Sequence, residues 1–137
     1  MNRMVEERMA EARRVAEQSQ DPSTKVGCVL VTSRGPYYGH NTFATLILPQ
    51  DATREERYED VVHAEEHVLL QAGQAAQGST LFSTHEPCNH CYRLLIHSGV
   101  RIVVHEPTSE DRRERWGCEK GRRAALWAGV EIVEHGS

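Results

Sequence analysis

Four residues in two short segments have the types and the spacing of a metal site that can carry out hydrolysis. His63 and Glu65 stand in a His-Ala-Glu run, and Cys88 and Cys91 stand in a Pro-Cys-Asn-His-Cys run. Zinc binds histidine nitrogen and cysteine sulfur tetrahedrally, and a site with three protein ligands keeps one position for water. Such a site supplies hydroxide at neutral pH, and a carboxylate beside it can move the proton. We therefore predict one zinc ion on His63, Cys88 and Cys91, with Glu65 as the catalytic acid–base.

Other arrangements of the same residues remain open at this point. A single CxxC also occurs in redox proteins and as half of a structural zinc site, although the chain has no second CxxC. His67 lies four residues after His63, and His90 lies inside the CxxC, so either could be a ligand. Glu66 is the rival of Glu65, but it projects about 100° further round a helix, and we expect it to be exposed.

Composition and charge indicate a single globular domain over residues 1–137, with 39% hydrophobic and 26% charged residues. The formal net charge of −4 makes nucleic acid an improbable partner, because polyanion-binding proteins usually present a basic face. Basic residues between positions 112 and 123 alternate with acidic ones, which predicts a solvated helix face. No apolar run approaches the roughly 20 residues that span a bilayer, and the N-terminus does not resemble a signal peptide, so we expect a cytoplasmic protein without a membrane partner.

Hydrophobic periodicity predicts alternating helices and strands that would bring the two segments together. The predicted elements are a helix ending before residue 21, strands at 26–31 and 37–41, a helix at 61–71, a strand at 80–84, a helix at 87–98, a strand at 100–105, a helix at 109–128 and a strand at 130–133. This order predicts an α/β fold of three layers, α/β/α, around a five-stranded mixed sheet. Residues 42–62 lack periodicity and are predicted to form a loop at the rim of the site, with a helical turn within 54–58 as an option.

The combined motif, His-x-Glu followed by Pro-Cys-x-x-Cys, resembles the signature of zinc-dependent deaminases. The chain is similar to the cytidine deaminase superfamily, and most similar to its deoxycytidylate (dCMP) deaminase branch. The resemblance extends over nearly the whole chain, through segments at 21–27, 39–41, 58–65, 96–100, 115–116 and 128–130.

This resemblance implies the hydrolysis of dCMP to dUMP and ammonia by a zinc enzyme in which Glu65 protonates the ring nitrogen and then the departing amine. It also implies that Asn41 bonds the sugar, that the backbone of Ala64 holds the base carbonyl and that Val26 packs on the pyrimidine. Lys25 becomes a candidate near the phosphate. The dCMP deaminases are commonly hexamers controlled by dCTP and dTTP, so the resemblance further implies a homo-oligomer and nucleotide effectors.

Two positions depart from the dCMP branch. Residues 42–45 (TFAT) replace a Gly-Phe-Pro-like run in the loop that helps to read the nucleotide, and Glu86 replaces a phenylalanine, as in tRNA adenosine and guanine deaminases. The alternative function is therefore the same chemistry on another aminated base, nucleoside or modified cytosine nucleotide. A non-catalytic zinc-binding protein is the alternative of another class. Arg54 and Arg57 could bind phosphate, but we expect them to be solvated.

Overall fold

The structure of the chain, a computed structural model, describes residues 2–45 and 50–136. Helix α1 (Asn2–Ala16) is followed by a hairpin of strands β1 (Gly27–Thr32) and β2 (Gly35–His40). The remaining elements are β3 (Thr42–Phe43), α2 (Arg54–Asp60), β4 (Val61–Val62), α3 (Ala64–Ala72), a 3₁₀ turn (Gly73–Ala76), β5 (Thr80–Ser83), α4 (Asn89–His97), β6 (Ile102–His105), α5 (Glu110–Trp116), α6 (Cys118–Trp127) and β7 (Glu131–Glu134). Among the described helices, none is long and apolar enough to cross a membrane.

The main sheet has five strands in the order β2-β1-β5-β6-β7. Strand β1 is antiparallel to both β2 and β5, whereas β5, β6 and β7 are parallel to one another. Successive strand residues point to opposite faces of the sheet. Accordingly, Val29 and Phe82 pack with Met9 and Ala12 of α1 on one face, and Leu30 packs with residues of α3, α4 and α6 on the other. The predicted three-layer fold with a five-stranded mixed sheet is confirmed.

Gly27 allows α1 to lie directly against β1. A Cβ at this position would fall less than 3.0 Å from backbone atoms of Ala12 and Ala16. The backbone of α1 cannot bend away locally without losing its own hydrogen bonds. Gly27→Ala would therefore displace the whole helix from the sheet. We expect Gly27→Ala to lower the free energy of unfolding by about 3 kcal/mol, measured by urea titration. A loss within experimental error of zero would show that α1 does not pack this closely in solution.

The segment 42–62 contains more structure than the predicted loop. Strands β3 and β4 pair antiparallel at its two ends, with Phe43 opposite Val61. Helix α2 lies between them and begins at a capping box formed by Thr53 and Glu56. None of the residues of α2 is buried, so the helix has no apolar face that a sequence pattern could reveal. Residues 46–49 of the predicted rim lie outside the described residues.

The helix predicted at 109–128 is two helices, so this prediction is wrong in its middle. Gly117 adopts a left-handed conformation with φ of +64°, which ends α5 and lets the chain turn into α6. The helix predicted to start at Pro87 instead begins at Asn89, with Cys88 as its N-cap. This difference matters because it places a metal-ligand candidate at the N-terminus of a helix.

Candidate active site

The starts of helices α3 and α4 bring three metal-binding side chains together. His63 is the N-cap of α3, Cys88 is the N-cap of α4, and Cys91 lies in the first turn of α4. Nδ1 of His63 and the two Sγ atoms all lie within 4.8 Å of one another. The distance from His63 Nδ1 is 3.2 Å to Cys91 Sγ and 3.6 Å to Cys88 Sγ.

This donor set fits a zinc ion. A tetrahedral ion with Zn–N near 2.0 Å and Zn–S near 2.3 Å holds nitrogen and sulfur about 3.5 Å apart. The observed nitrogen–sulfur distances of 3.2 and 3.6 Å are close to this value. One nitrogen and two sulfur ligands leave a fourth position for water, as catalytic zinc sites require.

The surroundings of Cys88 favour the thiolate, which is the form that binds metal. Hydrogen bonding by Cys91 lowers the pKa of the Cys88 thiol to about 4 against the opposing effect of burial, and hydrogen bonding by His63 lowers it further. The backbone N–H of Cys91 donates to Cys88 Sγ at 3.4 Å, as expected for an N-cap sulfur. The hydrogen bond with Cys88 in turn raises the pKa of His63 to about 9.

The two alternative ligands lie outside this cluster. His67 Nδ1 is 3.2 Å from the backbone nitrogen and 3.1 Å from the backbone oxygen of His40 on strand β2. The side chain of His90 is 66% exposed and lies 3.4 Å from Glu66. Among the described residues, the group that could hold a metal ion is His63, Cys88 and Cys91.

Glu66 has a role that the sequence analysis missed. Its carboxylate accepts a hydrogen bond from the backbone N–H of His63 at 2.9 Å, so it caps α3 at the residue that carries the imidazole. The expectation of an exposed helix residue is therefore wrong, since the side chain is 27% exposed and bonded. The usual capping box has Ser or Thr at the N-cap, and His63 in that position gives no such signal.

Glu65 lies buried beside the three ligands. It is 5% exposed and lines the same cavity as His63 and Cys88. Burial, together with the nearby charge of Cys88, raises the pKa of the Glu65 carboxyl to about 7. A carboxyl group with a pKa near neutrality can accept a proton and return it at physiological pH.

A cavity of about 490 Å³ opens above these residues. Three of the residues that the sequence analysis selected for substrate contacts line it, namely Val26, Asn41 and Ala64. Lys25 is exposed and does not occur among the described residues that line the cavity.

The side chain of Asn41 is fixed by two backbone hydrogen bonds. Its Oδ1 accepts from the N–H of Val26 at 2.9 Å, and its Nδ2 donates to the carbonyl of Thr24 at 2.8 Å. An amide nitrogen carries two hydrogens, so Nδ2 keeps a second donor for a ligand in the cavity.

Several further lining residues were not chosen as site residues from the sequence, and five of them carry rings or cations. His85 precedes α4, Arg54 and Tyr58 belong to α2, and Arg115 and Trp116 end α5. Arg54 donates from Nε to the Tyr58 hydroxyl at 2.9 Å, and the rings of His85 and Trp116 meet edge to face with centroids 6.0 Å apart. Arg54 is exposed, as expected, and it also contributes a cation to the cavity wall.

The basic stretch at 112–123 is not a purely solvated face. Arg115 pairs with Asp111 at 3.1 Å, as expected for such a face. Arg113 and Arg122, however, both contact the carboxylate of Glu86, which is 2% exposed. Although burial opposes the charge, the hydrogen bonds from Arg113 and Tyr92 hold the pKa of the Glu86 carboxyl below its usual range.

The family described as "Cytidine and deoxycytidylate deaminase zinc-binding region" matches residues 2–106. The chain therefore belongs to the cytidine and deoxycytidylate deaminase family. Together with the geometry of the site, this membership makes the protein a hydrolytic deaminase that uses zinc, as the sequence predicted.

Several relatives differ in what their names say they act on. An uncharacterized deaminase in the luxG 3′ region of Aliivibrio fischeri is 34% identical over 124 residues, which are 87% of this chain and 84% of that protein. A diaminohydroxyphosphoribosylamino-pyrimidine deaminase of Buchnera aphidicola is 33% identical over 71% of this chain and 60% of its own length. The deoxycytidylate deaminase of Mus musculus is 30% identical over 70% of this chain and 60% of its own. The match thus spans less than two thirds of the last two relatives.

The fold itself is shared with a solved dCMP deaminase. The crystal structure of that enzyme from the cyanophage S-TIM5, in complex with dCMP and dUMP, superimposes with a TM-score of 0.77. The two chains are 22% identical, and the similarity covers 98% of each.

Proposed function

We propose that the chain hydrolyses dCMP to dUMP and ammonia. The observation that carries the proposal is the buried carboxyl of Glu65 beside the His63, Cys88 and Cys91 cluster, on a cavity that also presents two arginines. The mouse relative, named deoxycytidylate deaminase, supports the choice of substrate.

Glu65 is proposed to move the protons of the reaction. His63, Cys88 and Cys91 would hold a zinc ion, which would supply the Lewis acid that activates water at neutral pH. Glu65 takes a proton from that water, whose oxygen bonds to the ring carbon bearing the amino group. Glu65 passes this proton to the adjacent ring nitrogen. It then takes the remaining proton of the newly attached oxygen and passes it to the amine, so that the carbon–nitrogen bond breaks, ammonia leaves and the oxygen becomes the ring carbonyl. With a pKa of about 7, Glu65 can exchange protons in both directions.

The lining of the cavity supports the substrate contacts that the resemblance implies. The free N–H of Asn41 bonds a sugar hydroxyl, the backbone of Ala64 holds the base carbonyl, and Val26 packs on the pyrimidine. Lys25 stays a candidate near the phosphate, but it is exposed and outside the lining. Arg54 and Arg115 are cations within the lining, so we assign them the phosphate.

Replacing either of these arginines is expected to weaken substrate binding selectively. A hydrogen bond to a charged group contributes roughly 1.5–3 kcal/mol, so Arg115→Gln or Arg54→Gln should raise KM for dCMP by about tenfold or more. We expect kcat to change little, because the phosphate is remote from the reacting carbon. Steady-state kinetics check this, with Arg34→Gln in the β1–β2 turn as the control. An unchanged KM in both cavity variants would remove the phosphate assignment.

A panel of substrates separates dCMP from the alternatives. The Buchnera relative acts, by its name, on a phosphoribosylamino-pyrimidine, so a phosphorylated aminopyrimidine of that type is the second candidate. We would assay dCMP, CMP, deoxycytidine, cytosine, guanine and this aminopyrimidine side by side, each with and without dCTP and dTTP. Turnover of another compound without turnover of dCMP would refute the proposal.

Assembly, regulation and location complete the proposal. Four properties remain predictions: a single domain over 1–137, a homo-oligomer such as a hexamer, effector control by dCTP and dTTP, and a cytoplasmic location. Light scattering of the purified protein, with and without the two nucleotides, measures the number of subunits and its response to effectors.

A further inference from the structure

A buried carboxylate lies two residues before the ligand Cys88. Glu86 is 2% exposed, and its Oε1 accepts from Arg113 Nε at 2.6 Å. Its Oε2 accepts from the Tyr92 hydroxyl at 2.7 Å and from Arg122 Nη1 at 3.3 Å. These donors come from α5, α4 and α6, so one carboxylate joins three helices.

His105 at the end of β6 also faces this carboxylate. Its Nδ1 donates to the backbone oxygen of Glu106 at 2.8 Å, and its Nε2 lies 4.0 Å from Glu86 Oε2. In the part of the chain that the structure describes, Nε2 is the buried side-chain nitrogen or oxygen without a hydrogen-bond partner. The carboxylate thus has polar groups from β6 and three helices around it.

The backbone of Glu86 also contacts residues that flank α5. Its N–H donates to Thr108 Oγ1 at 2.7 Å, and the thiol of Cys118 at the start of α6 lies 3.9 Å from its carbonyl oxygen. Both contacts reach the segment that leads into α5 and out of it. The turn that carries Cys88 and the C-terminal helices therefore meet at this residue.

Helix α5 depends on these polar contacts because it has no buried residue. Arg113 connects it to Glu86, and Arg112 connects it more weakly to Thr24, at 3.4 Å. The last two residues of the helix, Arg115 and Trp116, line the cavity. No buried residue of α5 helps to hold this wall relative to the metal ligands.

We propose that Glu86 is a positioning residue that holds α5 against the ligand turn and so fixes Arg115 and Trp116 as a wall of the substrate cavity. Trp116 is then held edge-to-face with His85, the neighbour of Glu86. The inference rests on the proposed function only in taking this cavity as the substrate site.

Trp116 can report its own position without any substrate. The chain has two tryptophans, and Trp127 is 78% exposed, so Trp127→Phe leaves Trp116 as the single tryptophan, which can be excited selectively over the tyrosines. In this background we would compare Arg113→Gln, Arg113→Lys and Glu86→Gln, with the exposed Arg123→Gln on α6 as the matched control. Acrylamide quenching measures the exposure of Trp116, and release of zinc to a chromogenic chelator measures the ligand site.

Arg113→Gln should make Trp116 more accessible to acrylamide while the protein still binds one zinc ion. Its KM should rise about tenfold, with kcat changed less than about twofold, because the displaced wall contacts the substrate while Glu65 and the metal ligands stay in place. Arg113→Lys should restore part of the loss, because it keeps the charge without the planar fork. Glu86→Gln should match Arg113→Gln in quenching and also release zinc faster, and Arg123→Gln should behave as the parent.

Unchanged quenching in Arg113→Gln and Glu86→Gln would overturn the proposal. A parallel fall of kcat, zinc content and thermal stability, without a selective rise of KM, would also overturn it by showing general loosening. Quenching and zinc release need no substrate, so they decide the matter even if dCMP proves not to be the substrate.

Discussion

Glu65→Gln is expected to lose nearly all turnover while still binding one zinc ion per chain. The variant keeps the size of the side chain and removes its ability to carry a proton, and positioned acid–base groups contribute about 10²- to 10⁴-fold to rate. Because Glu65 is not among the three clustered ligands, the metal content should stay unchanged. Ammonia release under saturating substrate and zinc analysis of the same sample measure the two properties together.

The neighbouring carboxylate provides the matched control. Glu66→Gln keeps an oxygen that can accept from the His63 N–H, so the cap of α3 is retained and turnover should stay within a few-fold of wild type. If Glu66→Gln were the inactive variant and Glu65→Gln the active one, the assignment of the acid–base to Glu65 would be wrong.

The metal cluster could be predicted from sequence because its information is local. His63 and the pair Cys88 and Cys91 each stand at a helix start. Helix α3 follows the segment 42–62 that leaves β2, and α4 follows β5, and the carboxyl ends of these two strands lie at the same edge of the main sheet because both are antiparallel to β1. The main sheet could also be predicted from the sequence, since alternating strand and helix patterns restrict the order and direction of strands. Buried strands such as β1 carry that pattern in a continuous apolar run.

The walls of the cavity could not be predicted in the same way. A helix over 109–128 and a turn within 54–58 could be predicted, but α2 and α5 have no buried residue, so no apolar pattern indicates what they pack against. Together they carry Arg54, Tyr58, Arg115 and Trp116 to the cavity. The contact between Arg113 and Glu86 joins positions 27 residues apart, and no short motif encodes it. Glu86 is recognisable in the sequence as a departure from the dCMP branch. Its contacts with Arg113, Tyr92 and Arg122 become visible only in the folded structure.

These two kinds of information correspond to two parts of the function. The local motifs specify the reaction, because zinc ligands and an acid–base must meet within a few ångströms. The long-range contacts place α5, which together with α2 carries part of the cavity lining. The substrate therefore remains a proposal, even though the reaction class follows from the family and the ligand geometry.

Replacement of a cysteine ligand is expected to remove the metal and much of the thermal stability. Cys88→Ser or Cys91→Ser leaves one thiolate and one imidazole, which cannot complete a tetrahedral site. Zinc should fall from one ion per chain to a small fraction, and activity should fall with it. A ligand present at a thousand times its Kd stabilises the folded state by about 4 kcal/mol, so the melting temperature should drop by about 10 °C or more.

Cys118→Ser is the control for this loss, because Cys118 is buried but lies outside the ligand cluster. Serine keeps a donor for the Glu86 carbonyl, so the variant should bind zinc and retain activity. Zinc content by mass spectrometry under native conditions and melting in the presence and absence of a chelator test both variants. The chelator should lower the melting temperature of wild type and Cys118→Ser to about that of Cys91→Ser, and should leave Cys91→Ser unchanged. A chelator-sensitive Cys91→Ser would mean that the stabilising metal is bound elsewhere.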